Sequence, residues 1–482
     1  MATDKIQKVI LIDFLSKGYS LYSFGLYALR AYALKHVSGI NIEIISIHSN
    51  DNFNQKIIDI AQLAPDIIGF SCFVWSEQQV YAASQHLRSL LPNIFIIFGG
   101  PQVEIGDSQL ASAMISGVVD VAVCGEGELP FVAILDSYTK NKLELLEHIA
   151  GVSIVKGNAI KWNLPRNYGK VFEESSNPVI DDEELLKIAC HTGIFVYETA
   201  RGCPYQCTFC DQGVKVFRSR PMKKILEDLQ NIIDQKPRKI VFLDSTFNVS
   251  LARTKQLLKP IIESGIEVEI EGEVKPERCD AETIQLMRMA GFRSVEVGLQ
   301  SIKSGTLQFI KRNNNFHKIE KSISQLIEAN IEVHVDTIIG LPGETLSDWL
   351  ATIDYCFSLG NVIIFSNSLK ILPNSEIKYQ ITDLGFNYAR EKTCAVIKTD
   401  AMDNNDINIA KMHQKMIKYY WNRSENMIEL RKIILKYYHG HLSAFTRDAL
   451  AALSSGESEK ELKTIRFWLN RCEDNFSIKI KK

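Results

Sequence analysis

Twice along this chain, short apolar runs alternate with longer stretches in which apolar residues recur every three to four positions, and that rhythm leaves few folds open. The first series runs from Lys8 to Tyr138: KVILID, GLYALRAYALKHV, INIEIISI, DIIGFSCF, VYAASQHLRSLL, IFIIFGG, VDVAVCG and LPFVAILDSY. Its strand-like runs are apolar on both faces. Strands of that kind are buried on both sides, which calls for a parallel sheet covered by crossover helices. A doubly wound α/β domain is therefore expected over residues 1–150. From 151 to 190 the pattern weakens into charged, turn-rich sequence (KGNAIKWNLPRNYGK, ESSNP, DDEE), read as a linker with a short hairpin.

The second series is IFVYE, KIVFLD, EVEIEGEV, SVEVGLQ, EVHVDTIIG and VIIFSNSLKI, separated by amphipathic segments such as MKKILEDLQNIID. Six βα units predict a barrel or partial barrel over 191–374. Residues 375–482 read as helical (INIAKMHQKMIKYYWN, MIELRKIILKYYHGHL, TRDALAAL) and are expected to form a substrate or lid region. The formal charge of −2 gives no overall pull toward nucleic acid or acidic lipid. The longest apolar runs, 67–75 and 94–100, are far shorter than a membrane span. The N-terminus lacks the regions of a secretion signal, so a cytoplasmic protein is expected.

The strands of the second series alternate in polarity. Glu267, Glu269 and Glu271 alternate with Val268 and Ile270, and Ser294, Glu296, Gly298 and Gln300 with Val295, Val297 and Leu299. Glu332, His334 and Asp336 alternate with Val333 and Val335. The apolar set must face the outer helices, so the polar set points inward. A filled barrel has an apolar interior; a polar one predicts an open barrel holding a polar ligand. His334 and Asp336 are then inward candidates for proton transfer, or satisfied polar groups of the lumen.

Three of the ten cysteines, Cys203, Cys207 and Cys210, fall within the stretch ETARGCPYQCTFCDQG. Structural zinc wants four ligands, and no further Cys or His pair follows at a usable distance. An iron-sulfur cube held by three thiolates keeps one iron open for an exogenous ligand. The loop also follows a strand, FVYETARG, at the end where barrel sites are built. Isolated Cys124 and Cys394 are expected to be buried thiols.

This Cys-x-x-x-Cys-x-x-Cys motif, with the aromatic Phe209 before its last cysteine and after the first of six βα units, resembles the radical S-adenosylmethionine superfamily over about 190–372. The resemblance implies a 4Fe-4S cluster on Cys203, Cys207 and Cys210. It further implies that the open iron chelates S-adenosylmethionine, whose cleavage gives a 5'-deoxyadenosyl radical. Where many members carry Gly-Gly-Glu after the second strand, this chain has Asp244-Ser245-Thr246. By position, Asp244 and Ser245 match the amino-group region. Gln300 and Ser301 match the ribose region, and Ile339, Gly340 and Leu341 the adenine-contacting backbone. The Gly340-Leu341-Pro342-Gly343 stretch equally suits a strand-end turn.

The first domain carries unusual residues at its strand ends: Asp13 to Gly18 (DFLSKG), Ser71-Cys72-Phe73, Gly99-Gly100-Pro101 and Gly125-Glu126-Gly127-Glu128. Ligands of doubly wound sheets sit there. Their order resembles the flavodoxin-like cobalamin-binding domain, in which Asp-x-His-x-x-Gly follows the first strand. Leu15 stands where the cobalt-ligating histidine would be, so the resemblance implies His-off cobalamin, with Asp13, Leu15, Gly18, Ser71, Phe73, Gly99, Gly100, Gly125 and Glu126 around it.

The whole then resembles the cobalamin-dependent radical S-adenosylmethionine family over about 7–375. That resemblance implies methyl transfer to an unactivated carbon of a natural product or peptide by way of the radical and methylcobalamin, with flavodoxin or ferredoxin as electron donor. Oxidative cyclisation or ring rearrangement without methyl delivery is the alternative. A methylthiotransferase would need a second cluster, and residues 1–150 offer only Cys72 and Cys124. A cobalamin sensor without turnover would not need the cysteine motif. Trp75, Tyr419, Tyr420 and Trp421 could line a chamber between the cofactors or serve helix packing.

Overall fold

The computed structural model describes residues 6–15, 22–166, 169–175, 177–212, 216–423, 427–457 and 467–472. Strands β1 (Gln7–Leu15), β2 (Ile40–His48), β3 (Ile67–Ser71), β4 (Phe95–Gly99) and β5 (Val121–Val123) form a parallel sheet in the order β2-β1-β3-β4-β5. β1 explains why its run is apolar throughout. Val9 and Leu11 pack with Leu26, Ala33, Phe131 and Ile134 from the helices Phe24–His36 and Glu128–Thr139. Ile10, Ile12 and Phe14 pack on the other face with Ile57, Val80, Leu87 and Leu110.

Residues 151–190 are more than a linker. β6 (Val152–Lys156) and β7 (Ala159–Lys161) make the expected hairpin, but it extends the first sheet, with β6 antiparallel to β5. Val152 and Ser153 are fully buried there, and the hairpin covers an edge that β5 would otherwise expose. Three helices follow, Gly169–Glu174, Pro178–Asp181 and Glu183–Thr192, the last two capped by Asn177 and Asp182. Their Val179, Leu185 and Ala189 enter the core of the second unit. Asp182 also takes the Arg30 guanidinium in two bonds, 2.7 and 2.5 Å, fastening the helix Phe24–His36 to this segment.

The second series opens with β8 (Ile194–Tyr197), followed by two short antiparallel strands, β9 (Ala200–Arg201) and β10 (Arg218–Ser219). β11 (Lys239–Phe242), β12 (Glu269–Glu273), β13 (Phe292–Gln300), β14 (Glu332–Ile339) and β15 (Ile363–Ser368) continue it. β8 and β11 to β15 form one parallel sheet in chain order, with β8 and β15 as edges. The barrel is open, as the polar interior required.

Both edges are closed by side chains rather than strands. On β8, the Val196 N–H donates to the Tyr22 hydroxyl at 3.2 Å. On β15, Asn422 accepts from Ile364 N at 2.9 Å and donates to Ile364 O at 2.7 Å, while Trp421 Nε1 donates to Val362 O at 2.9 Å. Trp421 is fully buried against Phe357, and Tyr420 lies in the core beside Phe445 and Trp468. These aromatics pack helices and line no chamber. Tyr419 packs partly buried against the same core.

After a short helical turn, Glu376–Gln380, the C-terminal region holds a hairpin, β16 (Asn387–Ala389) and β17 (Ala395–Lys398), that the helical reading of 375–482 did not include. The helices Asn404–Met416, Met427–Tyr437 and Leu442–Ser454 follow.

Gly291 ends the helix Ala281–Ala290 at φ +109°, and a Cβ there would overlap the Val268 carbonyl that precedes β12. Gly265 has φ +65° with open space around it. Gly291→Ala should cost more than the roughly 1–3 kcal/mol of left-handed strain alone, whereas Gly265→Ala should cost only that strain. Denaturant midpoints of the two variants check this.

Candidate functional site

The cysteine loop leaves the C-terminal end of β8. Asp244, 1 % exposed, holds its start by accepting from Thr199 N at 2.7 Å and Ala200 N at 3.0 Å, backed by Arg253 at 3.4 Å. Asp244 thus props the loop and is not aimed at a ligand, contrary to the expectation for the Asp-Ser-Thr stretch. Ser245 lends only its carbonyl, to the Thr246 hydroxyl at 2.6 Å. That hydroxyl also lies 3.8 Å from Cys203 Sγ. Burial pushes the Cys203 thiol up.

Cys207 Sγ receives Arg312 Nη1 at 3.8 Å, and Cys210 Sγ accepts from Gln212 N at 3.4 Å. Three sulfurs on one loop, with N–H donors and a guanidinium beside them, fit a cluster that carries negative charge. Among the described residues no three His, Cys, Asp or Glu groups converge on a point where a single metal ion could sit.

Arg312 was not visible in the sequence reading. Its guanidinium is fixed by Gly298 O and by Asn314 Oδ1 at 3.2 Å, and a Cβ at residue 298 would lie 3.0 Å from Arg312 Nη2. It stands beside the cluster loop as a ready partner for a carboxylate. Gln300 next to it has φ +69° and a buried Oε1 with no partner among the described residues. Such an orphaned acceptor in a cavity wall suits a hydroxyl donor. Arg312 and Gln300 are the residues that would hold the carboxylate and ribose of S-adenosylmethionine.

Inside the lumen, a bulge at Arg293, the extra residue of β13 opposite Ile270 and Glu271, sets Glu273 directly opposite Glu296, and Asp336 lies opposite Gly298 on the next strand. Glu267 precedes β12, and Glu269 and Glu271 stand at its N-terminal end, where Glu271 pairs with Lys239 at 2.6 Å. Desolvation around its carboxyl group, then the neighbouring Glu296, pushes Glu273 up to about 7, although the residue as a whole is exposed to the open lumen. Burial, and Glu296 beside it, drive Asp336 well above the carboxylate range. Two carboxyl groups that hold their protons this tightly, Glu273 and Asp336, would welcome a cation. His334 is tied to Glu332 at 2.6 Å and edge-on to Phe365, so of the two inward candidates only Asp336 faces the cavity.

That cavity, about 200 Å³, opens at the C-terminal ends of β13 to β15 between Phe209, Gln300, Asp336, Asn367 and Lys370. Ser301 is not on its wall: it is fully buried and donates to Glu344. Ile339 is buried with its carbonyl bonded to Leu369 N at 2.9 Å, and Gly340, at φ +86°, packs against Ile407 and Thr399. Leu341 is buried in the core.

At the carboxyl edge of the first sheet, Asp13 is 2 % exposed and neither of its oxygens has a hydrogen-bond partner among the described residues. Burial raises its pKa, with the nearby Ser46 and Ser23 hydroxyls opposing the shift. Leu15 is buried at the end of β1 and offers no donor atom. Gly18 lies outside the described residues. Ser71 pairs with Gly99 across β3 and β4, and Gly100, at φ +103°, lies so close to Cys72 that a Cβ would stand 2.7 Å from its carbonyl oxygen. Cys124 and Cys394 are buried thiols, as expected. The Phe73 and Trp75 rings stack at 4.5 Å, and Trp75 is 46 % exposed. A buried carboxylate, glycine-lined loops and an exposed aromatic stack fit a large flat cofactor held without a histidine at Leu15.

The loop after β5 does something else. Glu126 pairs with Arg218 and Glu128 with Arg201 at 2.7 Å, so this loop grips β9 and β10, the strands that flank the cysteines. Burial alone would raise Glu128, but the Arg201 guanidinium holds it below the usual range. Phe172, fully buried, lies 4.6 Å from both Arg201 and Arg220. Glu126 and Glu128 therefore dock the two units together, while Gly125, at φ +91°, lies against Pro165.

Two outcomes follow. Cys203→Ala, Cys207→Ala and Cys210→Ala should each lower the iron bound per chain without unfolding the protein, read by iron assay and circular dichroism. Glu273 and Asp336 keep their protons to higher pH in the fold than in the unfolded chain, so their contribution is lost as pH rises past about 5. The apoprotein's melting temperature should fall between pH 5 and 8, and Glu273→Gln or Asp336→Asn should flatten that fall.

Comparison with known proteins agrees with this geometry. Residues 11–135 match the B12 binding domain model, and residues 197–356 match that of the Radical SAM superfamily. An uncharacterized methyltransferase of Pyrococcus horikoshii is 24% identical over 305 residues, covering 62% of this chain and 66% of that one. The cobalamin-dependent radical SAM methyltransferase TokK of Streptomyces tokunonensis is 22% identical over 333 residues, 65% of this chain and 48% of that one. The chain thus spans about two thirds and about half the length of these relatives. Among solved structures, the cobalamin-dependent S-adenosylmethionine radical enzyme OxsB superposes with a TM-score of 0.69 at 16% identity, covering 99% of this chain and 81% of that one. The chain thus carries a B12 binding domain ahead of a radical SAM domain on one polypeptide.

Proposed function

We propose that this chain is a methyltransferase that places a methyl group on an unactivated carbon of a small molecule. The observation that carries the reading is the grip of Glu126 and Glu128 on Arg218 and Arg201, which turns the cobalamin edge of one unit toward the cysteine loop of the other. Bound there, the three groups supply one-electron bond cleavage, hydrogen-atom abstraction and a transferable methyl group. The protein's part is position and exclusion of water. Arg312 orients a carboxylate beside the cluster, Gln300 takes a hydroxyl, and Glu273, Glu296 and Asp336 receive a cationic group.

The segment after β15 bridges the units from the far side. Lys378 pairs with Glu104, and Arg390 pairs with Glu77 at 2.6 Å and Asp107 at 2.7 Å. This strap supports a closed chamber for a small substrate better than a groove for a peptide. Flavodoxin or ferredoxin would supply electrons, and the reaction would run in the cytoplasm. No helix among the described residues is long and apolar enough to cross a membrane.

Reconstituted anaerobically with iron, sulfide and hydroxocobalamin, and given S-adenosylmethionine with a trideuterated methyl group and a low-potential reductant, the protein should transfer deuterium to cobalamin and form 5'-deoxyadenosine. Mass spectrometry reads both. Formation of 5'-deoxyadenosine with cobalamin never labelled would replace methyl transfer by cyclisation or rearrangement.

A further inference from the structure

The strap that leaves β15 is rooted on the barrel and reaches the first unit. Its start is pinned to the hairpin: Val396 N donates to Leu369 O at 2.8 Å and Ile371 N to Cys394 O at 2.9 Å. Further on, Ile377 N donates to Thr208 O, inside the cysteine loop, at 2.9 Å, while the next side chain, Lys378, pairs with Glu104. Arg390 stands between β16 and β17 and so rides on a hairpin that the barrel holds.

Arg390 joins two loops of the first unit. Close to the sheet, the loops after β3 and β4 are joined by their own backbone, Cys72 N donating to Gly99 O at 2.7 Å and Gln102 N to Cys72 O at 3.0 Å. Farther out, the Arg390 guanidinium takes Glu77, just after the Phe73–Trp75 stack, at 2.6 and 3.5 Å, and Asp107, the cap of the helix after β4, at 2.7 Å. Glu77 is 4 % exposed. Burial alone would raise Asp107, but the Arg390 guanidinium holds it below the usual carboxylate range. Two carboxylates from different loops thus share one cation, and without it each would be left charged, buried and facing the other. These loops carry the aromatic stack and the Gly99-Gly100 turn that fit a large flat cofactor. The spacing of that seat therefore depends on a residue of the C-terminal region.

Resting on the placement of cobalamin at this edge, we propose that Arg390 is a positioning residue for cobalamin, clamping the loops after β3 and β4 to the barrel and so setting how tightly the cofactor is held. The first unit then has its full cobalamin seat only with the strap docked on it. The inference concerns binding, and it holds for methyl transfer and for cyclisation alike.

Hydroxocobalamin, dialysed to equilibrium against the anaerobically reconstituted iron-sulfur protein, gives its dissociation constant from the cobalt bound per chain. Arg390→Met should raise that constant at least about tenfold, with iron per chain unchanged. A triple variant that adds Glu77→Gln and Asp107→Asn removes the stranded charges and keeps a capping side chain on the helix. It should bind cobalamin as weakly as Arg390→Met does. Wild-type affinity in Arg390→Met overturns the proposal. So does recovery in the triple variant, which would trace the loss to uncompensated charge rather than to the missing clamp. Parallel loss of iron and cobalamin in both variants overturns it as well, by making Arg390 a residue of the general fold. The methyl-transfer reading fails by a different readout, cobalamin that stays unlabelled in wild-type protein that binds it.

Discussion

Two arginines on the strands that flank the cysteines, meeting two glutamates on a loop of the other sheet, decide what this molecule can be. Arg201 and Arg218 reach Glu126 and Glu128 across the junction, Glu198 shares Arg201, and Phe172 fills the centre. The group is partly buried. Removing one member of a buried pair strands the other and costs about 3–5 kcal/mol, a large share of the 5–15 kcal/mol that holds an ordinary domain together. Because the arginines belong to the hairpin around the cysteine loop, the contact that joins the units also orients the loop. Structure and site are therefore coupled at one place.

The open barrel is the second consequence of a polar lumen. A sheet with carboxylates inside cannot close on a filled core, so it keeps two edges. Tyr22 from the first unit takes one edge, and Asn422 and Trp421 from the C-terminal region take the other. The neighbours that cap the edges are thereby fastened to the barrel, and the strap with Lys378 and Arg390 ties the C-terminal region back to the first unit. Space for a ligand is left at the C-terminal ends of the strands, where Arg312, Gln300, Asp336 and Lys370 look inward.

Much of this was legible in the sequence. Period-two and period-3.6 patterns act locally, so both parallel sheets and the inward polar faces of β13 and β14 could be read from single runs. The cysteine spacing was equally local. What escaped depends on contacts between distant residues. Arg312 sits in an unremarkable turn, and only the approach of that turn to Cys207 gives it a role. Glu126 and Asp244, expected near cofactors, are taken up by Arg218 and by the amides of Thr199 and Ala200. The extra residue in β13, Arg293, that brings Glu273 opposite Glu296 has no mark in the sequence. The hairpin of 151–161 was seen, but its membership in the first sheet follows from the short β5 that it covers.

The central claim is that one chain holds a cluster and a cobalamin face to face across this junction. Electron paramagnetic resonance of the reconstituted protein, with the cluster reduced and the cobalamin in its cob(II) form, tests it most directly. The account predicts one cobalamin and four irons per chain, with the two paramagnets relaxing each other, and loss of that coupling in Arg201→Ala while both cofactors remain bound. Two isolated spectra in the wild type, or a chain that binds iron and never cobalamin, would contradict it.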